Sequence, residues 1–288
     1  MYGEETKRLR KNLGQSQGSL FANCPVCYGY LMFRLPLQRT LPDKGLDLAG
    51  VSCVLFDLDG TLVDVDMNRF IPVYLQRLTA RLGDLADPRA LTAVIREAVY
   101  IMLNGSNGSQ TMEQLLLNSL DGEFGIGADE YRQRLELFVE HDLPGLRPLV
   151  KGHPLARPLI ETCLVNGWQP VLATNPIFPM AVVEARMQWG EIDGLPFQHV
   201  TAYETSRYCK PQAGYFHQLL DHLGTVAESC LMVGNDTEHD LAAAHVGIQT
   251  CLLTPWLIDR TNGHYQANWQ GDHEELLGLF LDGSSVGL

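Results

Sequence analysis

No segment of the chain approaches the roughly 18 consecutive apolar residues that a membrane-spanning helix needs, and no repeat of solenoid length is present. Positive charge is also scarce. The 34 Asp and Glu outnumber the 21 Lys and Arg and give a formal net charge of -13. That balance argues against nucleic acid or an anionic membrane as partner. The nine histidines show no ligand spacing, with His217 and His222 in a predicted helix and His239 and His245 in an acidic region. Cys24 and Cys27 form a C-x-x-C without the second pair of a zinc ribbon. A zinc site shared across a dimer would be the only metal reading of that pair, and metal analysis without zinc would end it. Cys53, Cys163, Cys209, Cys230 and Cys251 are isolated, so the seven cysteines imply buried thiols in a reducing cytoplasm.

At 288 residues and 45% hydrophobic, the sequence can bury one sizeable core and a smaller module. Its chemistry is concentrated at the ends of apolar runs. Val51 to Thr61 reads Val-Ser-Cys-Val-Leu-Phe-Asp-Leu-Asp-Gly-Thr. A continuous apolar run predicts a strand covered on both faces, and ligands of open parallel sheets lie outside the carboxyl ends of such strands. Period-two geometry sends Asp57 and Asp59 to the same side unless the chain unwinds there. Two carboxylates this close raise each other's pKa unless a cation joins them, and oxygen donors favour a hard metal.

Three further segments repeat the pattern. Gln169 to Pro176 ends a short apolar strand on Thr174 and Asn175, ahead of a predicted helix over Ala181 to Trp189 whose first turn offers amides to an anion. Lys210 precedes Pro211, placed where a helix begins, and an amphipathic segment from Tyr215 to Leu223. Ser229 to Asp240 carries a third apolar run into Asp236 and Asp240, which a helical turn would place on neighbouring turns facing one cation. Gln249 to Leu253 reads as a further strand. Taken singly, each is an ordinary turn, helix start, surface lysine or acidic helix N-terminus.

In this order the four segments resemble the motifs of the haloacid dehalogenase superfamily over about residues 51 to 254. The resemblance implies an α/β fold, a doubly wound, Rossmann-like parallel sheet with an inserted helical cap. It implies Mg²⁺-dependent hydrolysis of a small phosphorylated metabolite through an aspartyl-phosphate. Asp57 would be the nucleophile and Asp59 the general acid and base. Thr174, Asn175 and Lys210 would bind the phosphoryl group. Asp57, the backbone carbonyl of Asp59 and Asp236 would hold the metal, with Asp240 as a further ligand or one step removed. Halide-displacing members lack an acid at the position of Asp59, and phosphonate cleavage uses a cap lysine, whereas residues 65–142 contain none. A phosphomutase, or a non-enzymatic scaffold for phosphorylated ligands or proteins, is the alternative.

Residues 65–148 are expected to be the cap, and 51–64 with 149–288 the core. Helices are predicted over Arg69 to Leu82, over Pro88 to Leu103 with Asp87 as N-cap, from a Thr111/Gln114 capping box to Leu120, and around Tyr131 to Val139. Asp66, Asn68 and Arg69 lie where they can face a cleft, and Arg77 and Arg81 have the spacing of an anion-reading stripe or a solvated face. Residues 1–50 read as a flexible extension, with a translation start at Met32 as an alternative. The substrate, the oligomeric state and the purpose of this segment are not readable from the sequence.

Overall fold

Alternate residues of the first apolar run go to opposite sides of a sheet. In β1 (Cys53–Phe56), Val54 and Phe56 enter one buried cluster while Cys53 and Leu55 enter another. Both faces are covered, which is why the sequence shows no polar alternation here. Burying Val54, Leu55 and Phe56 contributes about 1.5–3 kcal/mol per side chain, which holds an acidic pair rigidly at the strand's end. The computed structural model describes residues 45–283, within a compact unit spanning Gln38–Leu288. Most of the N-terminal extension, the Cys24/Cys27 pair and Met32 therefore lie outside the described residues. Residues 45–50 do have contacts: Leu46 and Leu48 pack on the core, and Asp47 exchanges two hydrogen bonds with the Gln249 side chain.

The remaining strands are β2 (Val63–Val65), β3 (Val150–Gly152), β4 (Gln169–Leu172), β5 (His199–Val200), β6 (Cys230–Gly234), β7 (Gln249–Leu253) and β8 (Trp269–Gly271). Six of the eight form a sheet in the order β5-β4-β1-β6-β7-β8, every pairing parallel. Counted within this sheet the order is 3-2-1-4-5-6, the doubly wound arrangement, and its order reverses between β1 and β6. In register, Phe56 lies opposite Val233, so the segments ending in Asp57 and Asp236 emerge side by side at the reversal. Crossover helices are α5 (Ala156–Val165), α6 (Met180–Trp189) and α7 (Ala213–Leu223), and α8 (His273–Gly283) follows β8, the edge strand.

Between β2 and β3, which pair antiparallel as a two-stranded stem, the chain forms α1 (Met67–Arg81), α2 (Pro88–Asn104), α3 (Met112–Phe124) and α4 (Ala128–His141). The caps are those read from the sequence. Asp87 accepts from Ala90 N–H with Pro88 at N1, and Thr111 and Gln114 exchange both capping-box bonds. Leu91, Ile95, Ala98 and Met102 form the buried stripe of α2. Helix α3 outruns its expected end at Leu120, running through Gly122 to Phe124. It stops at Gly125, whose φ of 69° is the left-handed conformation of a helix terminus. Asp66 caps α1, Asn68 and Arg69 are exposed, and Arg77 and Arg81 bind the backbone and carboxylate of Asp142. The arginine pair thus fastens α1 to the end of α4.

Candidate active site

The extended geometry that would align Asp57 with Asp59 ends at Phe56. Asp57 N–H still reaches the Val233 carbonyl at 2.9 Å, but the chain then turns through Gly60 at φ 84°. A Cβ on Gly60 would lie 2.3 Å from Asn235 Nδ2, so the turn tolerates only glycine. Unwinding separates the two carboxylates. Asp57 faces Lys210, in the loop before α7, and Asp59 faces Arg186 on α6.

Lys210 is the centre of the first group. Its Nζ donates to Asp57 Oδ1 at 2.8 Å and to Asp240 Oδ1 at 2.6 Å, and the side chain is 2% exposed. Asp240 Oδ2 accepts from the amides of Asn235 and Asp236, both at 2.9 Å. Asp240 therefore fixes Lys210 and the loop after β6. The turn from Asp236 to Asp240 is helical, with the Asp240 amide bonded to the Asp236 carbonyl, but it continues as a 3₁₀ segment, Leu241–Val246. Burial works against the Lys210 ammonium, yet Asp240 and Asp57 outweigh it and raise its pKa. Burial also pushes Asp57 up to about 7, against the opposing pull of Lys210. Gly234 lets Asp240 approach: a Cβ there would sit 2.2 Å from the Asp240 carboxyl carbon. Gly234→Ala is expected to destabilise the fold by about 1–3 kcal/mol, measured by chemical denaturation.

Asn175 and Thr174 are set by the same loop. The Asn175 amide is occupied with the Lys210 backbone, accepting from its N–H at 3.0 Å and donating to its carbonyl at 3.4 Å, and it touches His239 Nδ1 at 3.3 Å. Its side chain thus positions Lys210. The Thr174 carbonyl accepts from Thr201 Oγ1 and the Tyr215 hydroxyl, at 2.6 and 3.0 Å, while its own hydroxyl has no hydrogen-bond partner among the described residues. Pro211 is not the first residue of α7, which begins at Ala213 behind Gln212.

Two arginines that the motif reading passes over meet the remaining acids. Arg186 Nη1 donates to Asp59 Oδ2, and Arg260 Nε donates to Asp236 Oδ2 at 2.6 Å. Asp236 Oδ1 accepts the amides of Glu238 and His239. Burial opposes the Asp236 charge, but His239, Arg260 and these amides hold its pKa below the usual range, whereas burial pushes His239 down to about 4. The helical pattern of α6 announces only its apolar residues, and Arg260 follows β7 in a loop without a motif. Polar residues inside otherwise apolar surroundings were the only available signals.

The donors that a divalent cation would meet are all oxygen, from Asp57, the Asp59 carbonyl and Asp236, as a hard ion requires. Asp59 Oδ1 is buried without a hydrogen-bond partner, an unmet demand for positive charge or a donor. Among the described residues no three His, Cys, Asp or Glu side chains are grouped as a ready-made cage, and Arg260 must yield for an ion to reach Asp236.

A parallel sheet of reversed strand order, with an acid, a hydroxyl, a lysine and a second acidic turn at successive strand ends, is the architecture of the haloacid dehalogenase-like hydrolases. The model of that hydrolase family matches residues 51–247, more than half of the chain, and the chain belongs to it. It is 28% identical over 211 residues to a phosphoglycolate phosphatase of Aliivibrio fischeri, covering 71% of this chain and 84% of that one. It is 26% identical over 202 residues to phosphoglycolate phosphatase 1 of Pseudomonas aeruginosa, covering 70% and 68%. A haloacid dehalogenase phosphatase from Thermococcus onnurineus shares the fold, with a TM-score of 0.51 at 17% identity over 81% of this chain and 99% of that one.

Proposed function

We propose that the protein is a Mg²⁺-dependent phosphatase of small phosphate monoesters, acting through Asp57. The observation that carries this reading is the buried Lys210 ammonium shared between Asp57 and Asp240. It places positive charge beside a carboxylate at the end of a parallel strand, where a phosphate dianion would otherwise be repelled. Asp57 attacks phosphorus in line, and the P–O bond to the leaving alcohol breaks as the aspartyl-phosphate forms. Asp59 protonates the departing oxygen and then takes a proton from the water whose attack on phosphorus breaks the Asp57–phosphorus bond, releasing phosphate and the free carboxylate. The Thr174 hydroxyl and Lys210 hold phosphoryl oxygens, and Asn175 keeps Lys210 in place. Asp57, the Asp59 carbonyl and Asp236 would hold Mg²⁺, which supplies charge neutralisation for the approach of anion to anion. Asp240 acts through Lys210.

The four-helix insertion of residues 65–148, joined to the core by the β2–β3 stem, serves as a cap that excludes water during transfer. Relatives named phosphoglycolate phosphatases put phosphoglycolate first on the list of substrates to try. Purified protein is expected to hydrolyse p-nitrophenyl phosphate and at least one member of a panel of phosphoglycolate, sugar phosphates and nucleotides. Chelation should remove this turnover and added Mg²⁺ restore it. Turnover that survives exhaustive chelation refutes the metal requirement, and no turnover of any ester refutes the enzymatic reading.

A further inference from the structure

Arg186 has no exposed surface, and it is the largest fully buried side chain among the described residues. A guanidinium taken out of water needs a counter-charge and aligned acceptors to be tolerated. Arg186 has Asp59 Oδ2 at Nη1 and the Val182 carbonyl at Nε, 3.3 Å away. Its Nη2 has no hydrogen-bond partner among the described residues. Two aromatic rings face the guanidinium. The ring of Phe178 lies 4.5 Å and that of Phe70 5.7 Å from the guanidinium carbon, a cation–π arrangement that also fixes the plane of the fork. Phe178 precedes α6 in the core, whereas Phe70 belongs to α1 of the insertion. These two rings pack edge-to-face at 6.0 Å, and Tyr74 of α1 packs edge-to-face on Phe178 at 5.1 Å.

We infer that Arg186 is the positioning residue of Asp59: it locks Oδ2, thereby fixes the orientation of the carboxylate, and ties this orientation to the insertion through Phe70. This rests on the reading of Asp59 as general acid and deepens it. A freely rotating carboxylate at the end of an unwound strand would present either oxygen, or neither, to the leaving alcohol. With one oxygen fixed by a rigid, caged fork, the other has a defined position. The lone positive charge on an otherwise apolar face of α6 thereby acquires a purpose that core packing does not supply.

A general acid matters most for a poor leaving group, which makes leaving-group dependence the diagnostic. The first-turnover rate of alcohol release is measured by rapid quench with Mg²⁺ present, for p-nitrophenyl phosphate and for an alkyl phosphate such as 2-phosphoglycolate. The variants are R186K, R186M, D59N and R186M/D59N. The ratio of alkyl to aryl rate should fall by about 100-fold or more in D59N, the usual worth of a general acid. It should fall by at least about 10-fold in R186M and less in R186K, which keeps the charge without the fork. In the double variant it should be no lower than in D59N alone, because both changes remove one function. Equal loss for both substrates in R186M, or ratio losses that multiply in the double variant, would overturn the inference and leave Arg186 a packing residue. An unchanged ratio in D59N has a different signature: it refutes Asp59 as general acid, and the inference falls with it. Should R186M fail to fold, F70L loosens the cage while keeping Arg186. A smaller fall in the ratio supports the inference and an unchanged ratio overturns it.

Discussion

Asp57→Asn is expected to lose at least about 10³-fold in kcat while the fold is retained, because a carboxamide of the same shape cannot form the acyl-phosphate bond. Stability should move the other way. Burial holds the Asp57 carboxyl at about 7, above its ordinary value, so the native state binds this proton more tightly than the unfolded chain does. By linkage the wild type loses stability from this group as pH rises from the ordinary carboxylate range to about 7, after which the loss is constant. The Asn variant has no such proton and should be as stable as the wild type or more so at pH 8. Its difference from wild type should shrink toward pH 4. Urea titrations across that range, run beside steady-state assays, separate the catalytic loss from the stability gain.

Lys210→Met carries the largest expected loss of stability. The ammonium neutralises Asp57 and Asp240, and Asp240 in turn organises the amides of Asn235 and Asp236. Removing one partner of a buried ionic group leaves uncompensated charge and destabilises by about 3–5 kcal/mol. Hydrolysis should fall to background as well, because phosphate loses its nearest fixed positive charge. A destabilisation under about 1 kcal/mol, measured by denaturant titration near neutral pH, would show that the carboxylates do not depend on this ammonium. Lys210 is thus distinguishable from Asp57: loss of the nucleophile spares the fold, and loss of the lysine does not.

The parts of this molecule that could be read from the amino-acid sequence are those where local pattern and tertiary role coincide. Val54, Leu55 and Phe56 are apolar without alternation because both faces of β1 are covered, and Asp57 is legible because it ends such a run. Asp87 before Pro88, and Thr111 with Gln114, give helix starts because the donors they satisfy lie within four residues. The directions of side chains were not legible in the same way. Asp57 and Asp59 are two residues apart, and their separation depends on a turn that only Asn235, more than 170 residues later, makes obligatory. Asp236 and Asp240 are four residues apart, yet nothing local announces that Lys210 bonds Asp240 and Arg260 bonds Asp236.

Arg186 and Arg260 show the same limit of local pattern. Nothing near either residue in sequence names its partner: the Arg186–Asp59 contact spans 127 positions and the Arg260–Asp236 contact 24. In α6 the arginine sits among Val182, Val183 and Met187 and reads as the polar member of an amphipathic helix, yet like Val182 and Val183 it has no exposed surface. The Thr174 hydroxyl was recognisable from its place after a strand. The fixation of the Thr174 carbonyl by Thr201 and Tyr215 was not, because those residues belong to the next strand's loop and to α7.

The most direct measurement is chemical trapping of the covalent intermediate. Protein quenched during turnover of a good phosphate monoester is treated with borohydride, which reduces an acyl phosphate to the alcohol, and is then digested for peptide mass spectrometry. Conversion of residue 57 from aspartate to homoserine, dependent on substrate and Mg²⁺ and absent in Asp57→Asn, is the predicted result. Unmodified Asp57 in protein that is visibly turning over, or reduction at another acid such as Asp59 or Asp236, would contradict it.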